Sequence, residues 1–581
     1  MLLPPGKRAS AHAEALFRGS DRFAFVIELS KDPTVAEQQI EAVIFYLTTC
    51  GYIDSEFDLR EKSFVRSFLR KLVTARVDQQ GELDPELRFE QIEQQHEHYV
   101  ELFQSVDYEV KSLFTEAVAE GEDVEVFVIS KLKLRCFELF EGLSPGNRSA
   151  LLEIVDDFIN ADGVVHPEEV KFRNELAELL GQASLSDEEA GTDSRLAIEK
   201  PTEKPPAATD HPFFKTFEHH YSADPAQIRA QIEADIRLLE KTEAKWAQMR
   251  AAGDGKLRGI QRVDQLEGEA FLDGHVHAVP QGGNRDYELI VLGDLHGCYS
   301  CLKGAVMQSE FMEKVRRFRA DPENNPDPKL VLLGDYIDRG RFSFNGVLRG
   351  VLNLFNTVPE HVYVLRGNHE YYIEYGGRIY GGVKPADAIN SLQTLLPDEV
   401  FERYLKFFEQ MPNSLLFDNL LFVHGGIPRD ELLQKKWHGL WSLNEEDIRF
   451  QMLWSDPSRA EMVPKDLQAA SARFAFGRQQ FRKFMLRVGA SLLVRGHEKF
   501  NAGFRDHYPR DDIRLLTVFS AGGVANDDLP EDSNYRDVRP MALTISRTGA
   551  ETKVTPWAID YRSYQNPDRN AFFRDDPGLT S

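Results

Sequence analysis

Cysteine is scarce in this chain, with four in 581 residues. That excludes a disulfide framework and leads us to expect a reducing, cytoplasmic setting. Long apolar runs are missing too. No stretch approaches the roughly 20 apolar residues that a membrane-spanning helix needs, so no membrane span is expected. The opening MLLPPGKRASAHAEALFRGS has no apolar core after its basic residues, so no secretory signal is expected either. Basic excess is absent: the formal net charge is −25. A nucleic-acid backbone demands a basic footprint, so nucleic acid is not expected as a partner. No fixed-period repeat is visible. The length exceeds what one core supports, about 250–300 residues, so several domains are expected.

The first part of the chain has helical periodicity. PTVAEQQIEAVIFYL, REKSFVRSFLRKLV, ELRFEQIEQQHEHYVELF, EVFVISKLKLRCFELF, RSALLEIVDDFI and PEEVKFRNELAELL place apolar residues three and four apart. Asp–Pro or His–Pro pairs mark several starts. This predicts an all-α module over residues 20–183. Residues 184–211 are rich in Pro, Glu, Thr and Ala and are read as a flexible linker. Residues 212–267 are a connecting helical segment, with Asp224 capping a helix whose first turn holds Pro225. Over residues 268–565, short β-branched runs alternate with helical stretches: ELIVLGD, KLVLLGD, VYVLRGN, LLFVHG, SLLVRGH, LLTVFS and MALTIS. The fold class is therefore multidomain, an all-α module followed by a mixed α/β domain.

Five strings in that second half carry the chemistry: GDLHG, GDYIDRG, RGNHE, VHGG and RGHE. They supply Asp294, His296, Asp335, Asn368, His424 and His497, each where an apolar strand gives way to a glycine-containing turn. Strand carboxyl ends are where open α/β sheets place ligands. Oxygen and imidazole ligands spread over two hundred residues gain a common purpose if they meet at a metal pair. Asp335, with two oxygens, can bridge two cations. A two-metal site clamps both oxygens of an in-line displacement at phosphorus, so phosphoester hydrolysis is the expected reaction. His369 is placed as general acid, Asp338 as its hydrogen-bond partner, and Arg339 offers a planar fork for phosphate oxygens.

The order GDLHG, GDYIDRG, RGNHE, HGG, LWSDP, FG, RGHE, VFSA resembles the PPP family of metal-dependent phosphoprotein phosphatases, within the calcineurin-like phosphoesterase superfamily. The resemblance spans about Tyr287 to Asn526. It implies a β-sandwich flanked by helices and two divalent metal ions, manganese first, with iron or zinc as alternatives. Asp294, His296 and Asp335 would hold one; Asp335, Asn368, His424 and His497 the other. A hydroxide held by the pair would be the nucleophile, and Asp456 of LWSDP would lie near the site in support. The implied substrate is phosphoserine or phosphothreonine on proteins. A diadenosine-tetraphosphate or other small-molecule phosphoesterase is the alternative. A scaffold acting through the helical module is the second. Departures bear on substrate choice. The second phosphate-binding arginine is unassigned, with Arg473 shifted from the expected place and Arg459 also a candidate. Relatives often carry Glu where Asn345 stands. GGVAND replaces a Pro-Asn-Tyr lid, which is thus absent or rebuilt. The glycine-rich insert GGRIYGGVKPADAI follows GNHE.

INADGVVHPEEVKF is similar to the TerB-like helical module of bacterial tellurite-resistance systems. A bacterial origin and a protein partner of unknown identity for this module are the corresponding expectations. Its Asp162/Gly163/Glu169 pattern gives a poor calcium loop, because Phe158 would fall at the first ligand position. Cys298 and Cys301 form a CxxC beside the metal strings. A redox switch and two small residues opening a helix are the competing readings. His96, His98, His219 and His220 are read as solvated positions rather than ligands.

Overall fold

The computed structural model describes residues 33–53, 57, 59–78, 84–114, 118–119, 122–141, 143, 147–148, 151–152, 154–155, 158, 167–182, 196–207, 210–280 and 285–574. The chain divides into two compact units. The first comprises the described residues within 33–114, 122–182 and 462–471. Its longer helices among the described residues are α1 (Pro33–Gly51), α2 (Leu59–Asp78), α3 (Pro85–Leu113), α4 (Val124–Glu141) and α5 (Pro167–Gln182). Asp84 caps α3 by accepting from the Glu86 amide at 3.0 Å, with Pro85 in the first turn where its missing N–H costs nothing. Aromatic rings fill the core, with Tyr46 edge-on to Phe140 at 4.8 Å. The segment Met462–Ser471 joins this unit, although the sequence rhythm placed it in the α/β domain; the Ser130 hydroxyl donates to the Ala470 carbonyl at 3.0 Å. The acidic turn at residues 159–166, which suggested both the calcium loop and the TerB likeness, lies outside the described residues.

The second unit is built on two seven-stranded sheets. One contains β1 (Tyr287–Leu292), β2 (Asp327–Leu332) and β3 (Val362–Val364), all parallel, while the other contains the parallel pair β4 (Leu420–Val423) and β5 (Leu492–Arg495). Beside β5 runs β6 (Arg514–Val518), and β7 (Met541–Thr548) pairs antiparallel with β1 and with β8 (Glu551–Ala558). Side chains alternate across each strand. Leu289, Val291, Val331, Phe422, Val494 and Leu516 fill the space between the sheets. Ile290, Leu292, Leu330 and Leu332 face helices on one side, and Leu421, Val423, Leu493 and Leu515 face helices on the other. The result is a sandwich with helices on both outer faces. β1 to β5 are buried almost throughout on both faces, which is why they read as near-continuous apolar runs, whereas β7 ends and β8 begins in exposed polar residues.

The segments expected as linker and connector are integral to this unit. Leu196–Ile198 and Thr202–Glu203 are strands paired in parallel with β8, where a flexible linker was expected. Lys204 lies over the Trp557 ring at 4.3 Å and donates to Thr544. Asp224 caps α6 (Pro225–Gly253) through the Ala226 and Gln227 amides, as the sequence predicts. Trp246 on this helix stacks on Phe407 at 5.4 Å, and Asp235 forms a bidentate pair with buried Arg349 at 2.7 and 2.8 Å. The unit also runs past residue 565: Phe572 packs on Phe342 at 4.5 Å.

Candidate active site

The five ligand strings leave the carboxyl ends of β1, β2 and β3 in one sheet and of β4 and β5 in the other, so both sheets deliver residues to one edge of the sandwich. Close approach of these turns depends on glycine. A Cβ on Gly367 would sit 2.1 Å from the Asp335 carboxylate, and one on Gly496 would sit 2.2 Å from that of Asp294. His296, Asp335, Asp338, Arg339 and His497 have positive φ between 41° and 71°. Such strain in non-glycine residues persists only where surrounding contacts over-determine it, and it concentrates at functional sites.

The geometry brings all six expected ligands together. His296 Nε2 lies 3.5 Å from Asp335 Oδ2 and 3.8 Å from Asp294 Oδ2. His424 Nε2 lies 3.4 Å from Asp335 Oδ1, 2.8 Å from Asn368 Oδ1 and 3.2 Å from His497 Nδ1. Asp335 is shared by two groups whose donor atoms lie within 4.8 Å of one another, His296, Asp335 and His369 in one and Asp335, His424 and His497 in the other. The Leu333 and Ile337 carbonyls, each 3.0 Å from an Nδ1, fix His424 and His296 with Nε2 facing the cluster. Buried Asp294 Oδ2 has no hydrogen-bond partner. Burial, then the charge of Asp335, pushes Asp294 up to about 7, and burial pushes Asp335 up to about 7. His296 and His424 are held below the ordinary histidine value, first by burial. An orphaned carboxylate oxygen, crowded carboxylates and neutral imidazoles are a donor set that suits divalent cations.

This electrostatic arrangement makes metal binding compete with protons. Carboxylates that titrate near 7 in the metal-free fold must lose protons to bind, whereas the imidazoles are already neutral. Metal affinity should therefore rise as pH rises through 7. The rise in Tm on adding manganese, relative to a chelator, should be larger at pH 8 than at pH 6. A rise of equal size at both values would sink this account.

Beside the ligands, His369 Nδ1 meets Asp338 Oδ2 at 2.7 Å, both buried, and its ring stands 4.7 Å from that of His296. Burial first, then the Arg339 charge, holds His369 well below the ordinary value. A phosphate dianion beside it would reverse that local field and favour the protonated ring. Arg339 donates to Asp387, and its Nη2 is buried without a hydrogen-bond partner. Arg473 contacts His497 Nε2 and lies 3.5 Å from Asp456, which also accepts from fully buried Arg495 at 2.8 Å. Arg473, not exposed Arg459, is thus the second arginine beside the ligands.

Several residues escaped the sequence reading. Tyr535 stands over His296 at 5.2 Å between ring centres. It rebuilds an aromatic cover from an Asn534–Tyr535 dipeptide, while GGVAND forms a turn in which Asn526 is buried and donates to the Gly522 carbonyl at 2.7 Å and Val524 is exposed. Glu370 accepts from the amides of Asp335, Tyr336 and Gly367 at 2.8–2.9 Å, tying two ligand loops together. Both Glu370 and Arg495 sit inside the quoted motifs, and that was the available signal. Cys298 and Cys301 are buried free thiols, and burial with the Cys298 neighbour pushes Cys301 well up, which disfavours thiolate chemistry. His96 and His98 pair with the Arg66 carbonyl and Glu37 on exposed positions, and His220 with the Phe572 carbonyl.

Residues 287–499 match the calcineurin-like phosphoesterase family. This segment is a calcineurin-like phosphoesterase domain. Its homologues are serine/threonine phosphatases at modest identity. A probable serine/threonine-protein phosphatase of Encephalitozoon cuniculi is 27% identical over 262 residues, 44% of this chain and 51% of that protein. The chain thus spans about half the length of that relative. The serine/threonine-protein phosphatase 4 catalytic subunit of Eremothecium gossypii is 26% identical over 301 residues, 48% of this chain and 85% of its own. A solved protein serine/threonine phosphatase from Saccharomyces cerevisiae aligns over 56% of this chain and 90% of its own, with 17% identity and a TM-score of 0.36. Among the described residues, no helix is long and apolar enough to cross a membrane.

Proposed function

We propose that the phosphoesterase domain hydrolyses phosphoserine and phosphothreonine on proteins, with two divalent metal ions held by Asp294, His296, Asp335, Asn368, His424 and His497. The observation that carries this reading is Asp335 shared between two ligand groups, with an acid pair and two arginines alongside. When bound, the metals supply Lewis acidity and a water acidic enough to attack phosphorus near neutral pH. The chain's own residues do the rest. Arg339 and Arg473 bind non-bridging phosphate oxygens. His369 Nε2 gives its proton to the leaving serine or threonine oxygen, while Asp338 holds the opposite ring nitrogen. Tyr535 covers the site on the His296 side and limits water access. Manganese is the metal we favour. The protein substrate is supported by the serine/threonine phosphatase relatives. The helical unit, TerB-like in its acidic turn, is read as an interaction module.

The test is phosphate release by the manganese-loaded protein from a phosphoserine/phosphothreonine peptide, run beside diadenosine tetraphosphate. Turnover of the peptide, lost in Asp294→Asn, is the expected result. Turnover of the dinucleotide alone would replace the protein substrate with a nucleotide, and inactivity on both would overturn the reading.

A further inference from the structure

The glycine-rich insert that follows GNHE is built from a hairpin and a short helix, Asp387–Leu392. Its hairpin pairs Tyr372–Tyr375 with Arg378–Gly381. One face is buried through Tyr372 and Ile379, and Gln393 ties the turn after it to the Ile379 carbonyl at 2.8 Å. From this insert comes the dipeptide Asp387–Ala388, which grips two neighbouring residues of the GDYIDRG loop. One carboxylate oxygen of Asp387 accepts from the Arg339 amide at 3.3 Å and from Arg339 Nη1 at 3.2 Å. The Ala388 amide donates to Asp338 Oδ1 at 2.7 Å.

The grip is directional. The Arg339 side chain is only 9% exposed, so its guanidinium has few places to go. Asp387 accepts from Nη1, Nη2 is buried with no hydrogen bond of good geometry, and the Tyr535 hydroxyl is the other group close to the guanidinium. A buried guanidinium N–H without a partner is costly unless a ligand completes it. Asp338 and Arg339 both hold positive φ, at 66° and 67°, so the loop needs outside contacts to stay in place. Asp387 itself is 49% exposed, so it sits at the mouth of the site and not in the core.

We propose that Asp387 is a positioning residue that sets the Arg339 fork to receive a phosphate oxygen. Resting on the phosphoesterase reading, this places phosphate-binding strength partly in the insert. Losing Asp387 frees the Arg339 side chain and loosens its strained backbone. Phosphate binding weakens more than the chemical step, because His369 and the metal ligands keep their own partners.

The experiment uses the full-length, manganese-loaded protein with Asp387→Ala, Asp387→Asn and, as a control, Glu399→Ala in the first turn of the helix Asp398–Gln410. KM and kcat for a phosphoserine peptide are measured together with the Tm shift caused by inorganic phosphate. For Asp387→Ala, KM should rise roughly tenfold with kcat changed by less than about threefold, and the phosphate-induced Tm shift should shrink. Asp387→Asn keeps an acceptor oxygen and should fall between Ala and wild type, while Glu399→Ala should match wild type. Unchanged KM and an unchanged phosphate shift in Asp387→Ala would overturn the proposal. So would tighter phosphate binding, which would make Asp387 a restraint on the arginine. Wild-type protein that responds to phosphate but turns over no phosphoester would end the functional reading, while the positioning role would still be decided by the Tm shifts.

Discussion

His369→Asn should lower kcat on a phosphoserine peptide by about 10²–10⁴, the usual range for a lost general acid. The same substitution should cost far less on an aryl phosphate with a good leaving group. The reason is the oxygen that departs. A serine alkoxide is a strong base and needs a proton as the P–O bond breaks, whereas a nitrophenolate leaves without one. In the proposed mechanism His369 is the donor: its Nδ1 is held by Asp338 at 2.7 Å, which leaves Nε2 for the reacting oxygen. Steady-state kinetics on both substrates, with metal content checked in each variant, measures the difference. An equal loss on both would mean that His369 positions the phosphate and does not protonate the leaving group. Asp338→Asn should show the same dependence on leaving group with a smaller loss, since the imidazole remains but its orientation is no longer fixed by a carboxylate.

Lys303→Met should reduce unfolding free energy by about 3–5 kcal/mol, the range for removing one partner of a buried ion pair. The Lys303 side chain is fully buried on the helix that follows GDLHG. Its ammonium donates to Glu218 at 2.6 Å, to Asp210 at 3.3 Å and to the Arg569 carbonyl. Without it Glu218 keeps only neutral donors, the Tyr299 hydroxyl at 2.9 Å and the Ala571 amide at 3.1 Å. A second change, Glu218→Gln, should recover a large part of the loss by removing the stranded charge. Urea unfolding of the single and double variants decides it, and a double variant no more stable than Lys303→Met would refute the ion-pair account. The partners lie at positions 210, 218 and 569, so the result also tests whether the catalytic unit needs residues before 268 and after 565.

The buried side-chain cluster at the edge of the sandwich was legible in the sequence because each of its residues sits within a few residues of its own strand and glycine. Local rules of strand, turn and ligand type were enough to gather Asp294, His296, Asp335, Asn368, His424 and His497. The α6 start was legible for the same reason, since Asp224 and Pro225 act on their own helix. What was illegible depended on partners far along the chain. Leu196–Ile198 is too short and too polar in context to announce a strand, and its order comes from backbone bonds to β8. Asp387, opening the short helix Asp387–Leu392, and Tyr535, in the 3-10 turn Asn534–Asp537, reach the site along paths that no local pattern sets. Met462–Ser471 joins the helical unit through contacts such as Ser130 to Ala470, with no change of composition to mark it.

The parallel strands at 196–198 and 202–203 have a further consequence for solubility. An open β edge offers unpaired amides and carbonyls to any other chain, and proteins blunt such edges with charge, proline, bulges or a cover. Here the cover along β8 is the chain's own upstream stretch, with Glu199 bonded to Lys553 and Thr555 across the seam. A spacer of glycine and serine in its place would span the same distance yet leave the sheet open to self-association. The residues that look most dispensable by composition are thus the ones that pair the outer edge of β8.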